Sequence, residues 1–209
     1  MWFTRIRFQA STVDITYYFS DVFIVFFYFA ITIILQAEYM DVLDFQAIGK
    51  TIATVLQSAN DKSVDPIVFM VELGPEEKGP PLHLHPHQTE EYEVLEGEVE
   101  FMLGKEKKVF RKGETVHIPP NTPHTFQNIS SGWSKMKDTH TPALSFEEMM
   151  RELHGLVVSG KVTGFNDFKS LIYVSMLWVK HDKLQRSVNP PFFVMRILAV
   201  IGRIFGFTL

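Results

Sequence analysis

The middle of the chain alternates hydrophobic and polar residues over short segments, and this pattern predicts β-strands. The segments IVFMVEL, EYEVL, EVEFML, TVHIP and HTFQN are rich in Val, Phe and Ile. Glycine, proline and asparagine separate them, for example at Gly97, Gly113 and residues 119–121. Several short strands with this spacing are typical of a β-sandwich or a closed barrel rather than of alternating strands and helices.

The C-terminal part of the chain has the periodicity of helices instead. Ser145 and Glu148 have the spacing of a capping box, and apolar residues then recur on one helical face. We expect this first helix to end at Gly155. Asn166 or Asp167 can cap a second helix.

A third helical segment follows Pro190 and Pro191 and is apolar except for Arg196 and Arg203, which share one face. Such a helix can pack against a core or cover a site. Alternatively it can lie at a membrane surface, because an apolar helix with an arginine stripe suits that boundary. The pattern leaves both interpretations open.

The N-terminal region has a different composition and raises the question of a membrane anchor. Residues 22–35 are continuously apolar or nearly so, and extending the run to residues 17–37 gives the length of about 20 residues that a span needs. Arg5 and Arg7 precede the run and acidic residues follow it, which predicts an anchored protein with its main domain on the non-cytoplasmic side. Two alternatives remain open: a cleaved signal peptide, or translation from Met40, which would give a cytoplasmic protein.

Composition and charge narrow the functional classes. The chain is 46% hydrophobic and 21% charged, which favours a packed protein over a disordered one. A formal net charge of −4 without a basic cluster argues against nucleic acid as a partner. The absence of cysteine excludes disulfides, thiol catalysis and thiolate metal ligands.

The stretch PPLHLHPHQTEEYEVLEGE concentrates the titratable groups of the chain. A single histidine in an apolar strand is usually a core residue, but His83 and His85 project to the same face of a strand and form a pair of potential metal ligands. Glu90 shares its face with Tyr92, so it is expected to point inward. A buried carboxylate needs a counter-charge, which a divalent cation between Glu90 and the two imidazoles would supply.

A further ligand is expected from a distant strand. In NTPHTFQN, His124 shares its inward face with Phe126 and Asn128. His117 has the opposite parity and is expected at the surface. His87 follows Pro86, which interrupts the strand, so we place it at the rim of the site or behind the ligands.

These two segments resemble the two conserved motifs of the cupin superfamily. The first motif matches at Gly79, His83, His85, Glu90 and Gly97. The second motif matches at Gly113, Pro119, His124 and Asn128. Asn121 stands where the family usually has glycine, a small departure because asparagine tolerates left-handed backbone.

The resemblance implies a mostly β fold: one double-stranded β-helix (jelly-roll) barrel over residues 42–142, like that of small single-domain bacterial cupins. A hydrophobic N-terminal extension over residues 1–41 and a C-terminal helical segment over residues 143–209 would flank it. It also implies that His83, His85, Glu90 and His124 bind one divalent metal ion. These nitrogen and oxygen ligands would leave coordination positions of the metal free. Such a site suits Fe(II), Mn(II), Ni(II) or Co(II), while Zn(II) or Cu(II) remain possible. A homodimer is the family's common assembly and is expected here.

Two functions remain open at this point. The first is a metal-dependent enzyme, a dioxygenase or an isomerase, that acts on a small organic molecule. The alternative is a non-catalytic module that binds or senses a small ligand such as a sugar. The residues expected to line the substrate pocket are Phe69, Tyr92, Phe101, Phe126, Met136, Asp138 and His140. Asp138 and His140 are either a polar strand edge or an acid/base pair that faces the substrate.

Overall fold

The computed structural model describes residues 41–209. The predicted membrane segment at residues 17–37, and the alternatives of a signal peptide or a start at Met40, therefore lie outside the described residues. Within residues 41–209, the helices are too short or too polar to cross a bilayer.

Strands dominate the described residues up to position 141. They are β1 (Asp41–Asp44), β2 (Thr51–Gln57), β3 (Ile67–Leu73), β4 (His83–Leu84), β5 (Thr89–Glu96), β6 (Glu98–Leu103), β7 (Glu106–Arg111), β8 (Thr115–Ile118), β9 (His124–Asn128) and β10 (Ser134–Thr141). A further short strand, β11 (Arg186–Ser187), lies in the C-terminal part. Three helices belong to the C-terminal part of this region: α1 (Phe146–Val158), α2 (Phe168–Lys180) and α3 (Phe192–Ile204).

The strands form two antiparallel sheets that enclose the core of a barrel. The six-stranded sheet has the order β1-β2-β3-β10-β5-β8, and the five-stranded sheet has the order β11-β4-β9-β6-β7. Burial alternates along β3 from Ile67 to Leu73, as expected for a strand with one face on the core. The mostly β barrel with C-terminal helices that the sequence predicted is therefore confirmed.

The polar strand β10 differs from the simplest expectation for its sequence. It lies between β3 and β5 in the six-stranded sheet, so it is a central strand and not a polar edge. Asp138 is paired with Tyr92 and His140 with Glu90 across the β5–β10 ladder. Because paired residues in a ladder point to the same face, Asp138 and His140 join the inward face of β5.

Two predictions about helix α1 are wrong. Ser145 precedes the helix but its side chain makes no capping hydrogen bond, and Glu148 pairs with Lys62 instead. The helix also continues through Gly155 to Val158. Tertiary contacts outweigh these local signals, because a glycine inside a helix costs only about 1 kcal/mol.

Other local predictions agree with the structure. Asp167 caps α2 by accepting a hydrogen bond from the backbone N–H of Ser170. Asn121 adopts a left-handed conformation with φ of 62°. Helix α3 follows the two prolines, and it buries Met195, Leu198 and Ala199 while Arg196 and Arg203 are exposed.

The C-terminal part is joined to the barrel by a strand that the sequence pattern did not predict. β11 lies between α2 and α3 and pairs with β4, so that Ser187 lies opposite His83. Helix α1 packs over the barrel as well, because Phe146 makes an edge contact with Phe69 at 6.0 Å between ring centroids. The helical segment therefore covers the end of the barrel where the histidines lie.

Candidate metal centre

Strands β4 and β9 bring the three predicted histidine ligands together. His83 and His124 are directly opposite each other in the β4–β9 ladder, and His85 follows two residues later. All three side chains are buried. One ring nitrogen from each lies within 4.8 Å of the others, so the three can hold a metal ion.

Main-chain carbonyls fix the tautomer of each of these imidazoles. The Nδ1 atoms of His83, His85 and His124 lie 2.8, 2.7 and 2.8 Å from the carbonyl oxygens of Pro81, Leu184 and Thr122, respectively. A carbonyl oxygen only accepts, so each Nδ1 carries a proton and donates it. In the neutral ring the lone pair is then on Nε2, the arrangement that metal-binding histidines usually have.

Glu90 on β5 presents one oxygen to the histidines and has the other held by the protein. Its Oε2 lies 2.7 Å from Nε2 of His124 and 3.6 Å from Nε2 of His85. Its Oε1 accepts a hydrogen bond from the Tyr92 hydroxyl at 2.6 Å and lies 3.3 Å from Nε2 of His140. The carboxylate is therefore oriented so that Oε2 faces the imidazoles of His85 and His124 while Oε1 faces Tyr92 and His140.

Three of these buried atoms have no hydrogen-bond partner among the described residues: Oε2 of Glu90 and Nε2 of His85 and of His124. Leaving such groups unpaired costs free energy, on the order of 1–3 kcal/mol each. Ligand atoms at about 2.1 Å from an ion and at right angles to each other are separated by about 3 Å. The distances from Oε2 of Glu90 to Nε2 of His124 and of His85, 2.7 and 3.6 Å, are close to that value, so these residues fit a bound cation.

The electrostatics of the cluster also fit a cation. Burial keeps the pKa of His83 well below its usual value and lowers that of His85 to about 3, so both rings are neutral and able to coordinate. Burial opposes ionisation of Glu90, but the neighbouring imidazoles of His124 and His140 outweigh it and hold its pKa well below the usual range. Glu90 in turn raises the pKa of His124 against the effect of burial. The negative Glu90 thus favours positive charge where the ligand atoms meet.

Asp138 and His140 form a second titratable pair beside this cluster. Both are buried, and Nε2 of His140 lies 3.2 Å from Oδ2 of Asp138. Burial raises the pKa of Asp138, while Asp138 and Glu90 raise that of His140 despite its burial. His140 also stacks on Phe146 with ring centroids 3.8 Å apart. Together with His85 and Glu90, His140 makes another group that can hold an ion.

A cavity of about 980 Å³ adjoins the cluster. Of the predicted pocket residues, five line this cavity: Phe69, Tyr92, Phe126, Asp138 and His140. Phe101 and Met136 are fully buried and are not among the described residues that line it. His87 is exposed, and so is His117, which pairs with Glu91.

The sequence did not identify the contributions of the C-terminal segment. The carbonyl of Leu184 orients His85 although the two residues are 99 positions apart. Trp178 of α2 lines the cavity with its ring centroid 6.5 Å from that of His83. The apolar faces of α1 and α2 indicated that both helices pack against something. An apolar face does not identify the surface against which the helix packs, so the sequence could not place these helices over the histidines.

Comparisons with known proteins agree with this architecture. Residues 69–136 match the family model described as the cupin domain. The uncharacterized protein MJ1618 of Methanocaldococcus jannaschii is 40% identical over 67 residues, which are 31% of this chain. The match spans about half of that relative, 54% of its length.

The solved structures that are similar to part of this chain include the following three. KdgF from Halomonas sp. has a TM-score of 0.40 and 19% identity, over 44% of this chain and 79% of that one. An RmlC-like cupin from Shewanella frigidimarina has a TM-score of 0.43 and 20% identity, over 51% and 86%. A sugar phosphate isomerase from a cupin superfamily, from Silicibacter pomeroyi, has a TM-score of 0.41 and 21% identity, over 45% and 68%.

The two antiparallel sheets and the buried His/Glu cluster define a small β-barrel protein with a cluster that can hold a metal ion. Residues 69–136 of the barrel match the cupin domain, and this match supports the resemblance of the barrel to the cupin superfamily. The predicted homodimer, the membrane association and the boundaries of the flanking segments stay predictions.

Proposed function

We propose that this protein is a metal-dependent enzyme that converts a small organic molecule at the centre formed by His83, His85, Glu90 and His124. The observation that carries the proposal is the set of unpaired Nε2 and Oε2 atoms, buried beside a cavity large enough for a substrate. Unpaired polar atoms are expensive to bury, so a folded protein is expected to use them.

The metal would supply a Lewis acid that polarises a substrate oxygen, or a position for dioxygen beside the substrate. Two reaction types, a dioxygenase and an isomerase, fit that chemistry. The protein residues would do the rest. The three imidazoles hold their lone pairs in place through main-chain carbonyls, and Tyr92 holds Glu90 to one orientation.

Asp138 and His140 would move a proton between protein and substrate. Both line the cavity, and Oδ1 of Asp138 and Nδ1 of His140 have no hydrogen-bond partner among the described residues. Their other atoms, Oδ2 and Nε2, face each other at 3.2 Å, so a proton received at one residue can be shared with the other. This arrangement supports the interpretation of the pair as acid and base rather than as a polar edge.

The first experiment measures the metal content of the purified protein by elemental analysis. We expect about one equivalent of a divalent metal in the wild type and a large loss in His124→Ala. His117→Ala is the matched control, because His117 is 67% exposed at its side chain and pairs only with Glu91 among the described residues. Equal metal content in all three proteins would contradict the proposed centre.

The second experiment separates an oxygenase, an isomerase and a binding module. Oxygen uptake by the metal-loaded protein with flavonoids, thiols and small diketones identifies an oxygenase, and product analysis without oxygen identifies an isomerase. The variants Asp138→Asn and His140→Gln should lower the turnover rate by about 10²-fold or more if the pair transfers the proton. Thermal stabilisation by a sugar or an acid without any turnover would favour the binding module.

A further inference from the structure

The cavity beside the metal centre has a polar inner end and an apolar body. Glu90, His83, Asp138 and His140 line the inner end and are buried. The surface opposite the barrel comes from the C-terminal helices: Met149 and Leu153 of α1, Leu171 and Trp178 of α2, and Met195 of α3. A molecule that reaches the metal must therefore lie against these helices.

The charged groups of the cavity are predominantly acidic. Among the described residues that line it, the carboxylates are those of Glu76, Glu77, Glu90, Asp138 and Asp167. Apart from the histidines, Lys78 is the basic residue among the described residues that line the cavity, and its side chain is exposed. An anionic group on the ligand away from the metal would therefore lie without a paired cation, which is costly in a buried site.

We infer that the site selects a largely apolar molecule with one oxygen-bearing end, and that α1 and α2 determine this selectivity. The inference rests on the proposed function for the role of the oxygen end, which would approach the metal. The apolar body would be held by α1 and α2, because burying apolar surface stabilises the complex by about 25 cal/mol per Å². Phosphorylated or multiply charged molecules would be disfavoured by the acidic lining.

A tryptophan in the cavity gives a direct test that does not need turnover. The chain has three tryptophans, Trp2, Trp133 and Trp178, and Trp178 is buried in the cavity wall. In the full-length variant with Trp2→Phe and Trp133→Phe, Trp178 is the remaining reporter. We would titrate this protein with N-phenyl-1-naphthylamine, an uncharged apolar dye that quenches tryptophan emission by energy transfer. Saturable quenching at one dye per chain is the expected result, and the absence of saturable quenching would overturn the inference.

Variants on the helices locate the dye. Leu153→Asp and Leu171→Asp place a charge on the half-buried helix side of the cavity and should weaken dye binding at least tenfold. The neutral change Leu153→Asn, with a smaller expected loss, keeps the test valid if the charged variants do not fold. Ile197→Asp is the control, because Ile197 is 54% exposed on the outer face of α3. Loss of binding only in Ile197→Asp would mean that the dye binds the surface of α3, and would overturn the inference.

Competition then tests the class of ligand. Benzoin, an uncharged aromatic hydroxyketone, should displace the dye, whereas fructose 6-phosphate should not displace it even at a hundredfold higher concentration. The reverse order would overturn the inference. Metal analysis and dye titration of the same wild-type preparation separate the two proposals. A wild type that holds no metal but still binds the dye would contradict the metal-dependent function alone, and a metal-loaded wild type that does not bind the dye would contradict the apolar selectivity alone.

Discussion

Oε2 of Glu90 lies 2.7 Å from Nε2 of His124, and neither atom takes part in a well-formed hydrogen bond. His124 donates its Nδ1 proton to Thr122, so Nε2 of the neutral ring carries a lone pair that faces the carboxylate. Two electron-rich atoms this close need positive charge beside them, and the pKa of His124 is raised for this reason. A divalent cation supplies it and also satisfies the unpaired Nε2 of His85.

The first prediction concerns removal of the metal. Treatment with EDTA should lower the melting temperature of the wild type, and a divalent metal should restore it, because a ligand that binds only the folded state stabilises it. At a free metal concentration of 100 times Kd this effect is about 2.7 kcal/mol. Calorimetry of the wild type, His124→Ala and the exposed-site control His117→Ala checks it. His124→Ala should not respond to metal, and a wild type that also fails to respond would contradict the prediction.

The second prediction concerns Tyr92, whose buried hydroxyl donates to Oε1 of Glu90. Tyr92→Phe removes the donor that orients the carboxylate and should weaken metal binding about 10- to 100-fold, as is typical for groups that hold a ligand in place. Titration against a chelator of known affinity measures it. Tyr173→Phe is the control, because Tyr173 is also buried but packs against Phe207, away from the cluster. Equal weakening in both variants would point to a general loss of structure instead.

The residues of the cluster follow from strand parity, which is why the sequence could predict them. His83 and His85 are two apart, Glu90 shares the face of Tyr92, and His124 shares the face of Phe126, so alternation alone gives their inward direction. Strand parity also put Asp138 and His140 on one face. It could not show that β10 is a central strand, because pairing partners depend on the fold and not on the strand itself.

The contribution of the C-terminal segment could not be predicted for a related reason. The contact between His85 and Leu184 joins residues 99 positions apart, and β11 has only two residues. A two-residue strand has no detectable periodicity. The apolar stripe of α1 predicted a packed helix but not the surface that it covers, and the local signals at Ser145 and Gly155 were outweighed by tertiary packing.

The third prediction tests how closely the first motif packs on the strand that carries His124. Gly79 has φ of +63°, and a Cβ there would collide with the main-chain oxygen of Phe126 in β9. Gly79→Ala should therefore destabilise the protein by more than about 2 kcal/mol and reduce its metal content, since β9 must move. Gly104→Ala is the control, because Gly104 has φ of +61° but open space around the added atom. Gly104→Ala should lower the free energy of unfolding only by the backbone strain, about 1 kcal/mol, and should leave the metal content unchanged. Urea unfolding and elemental analysis of both variants check this, and equal losses of stability would contradict it.

The last prediction compares two glycines inside helices. Gly155 is exposed in α1, and a Cβ there would meet nothing within 4 Å, so Gly155→Ala should stabilise the protein by about 0.5–1 kcal/mol through helix propensity alone. Gly202 is buried in α3, where a Cβ would lie 2.6 Å from Cγ2 of Ile172 and 2.8 Å from Sδ of Met176 in α2. Gly202→Ala should therefore destabilise the protein by about 1–3 kcal/mol despite the same gain in propensity, because α2 and α3 must separate to admit the methyl group.

Opposite shifts of the urea midpoint are expected for the two variants. A loss of stability in Gly155→Ala would mean that the helix does not continue through residue 155, and a neutral Gly202→Ala would mean that α2 and α3 are not in close contact there.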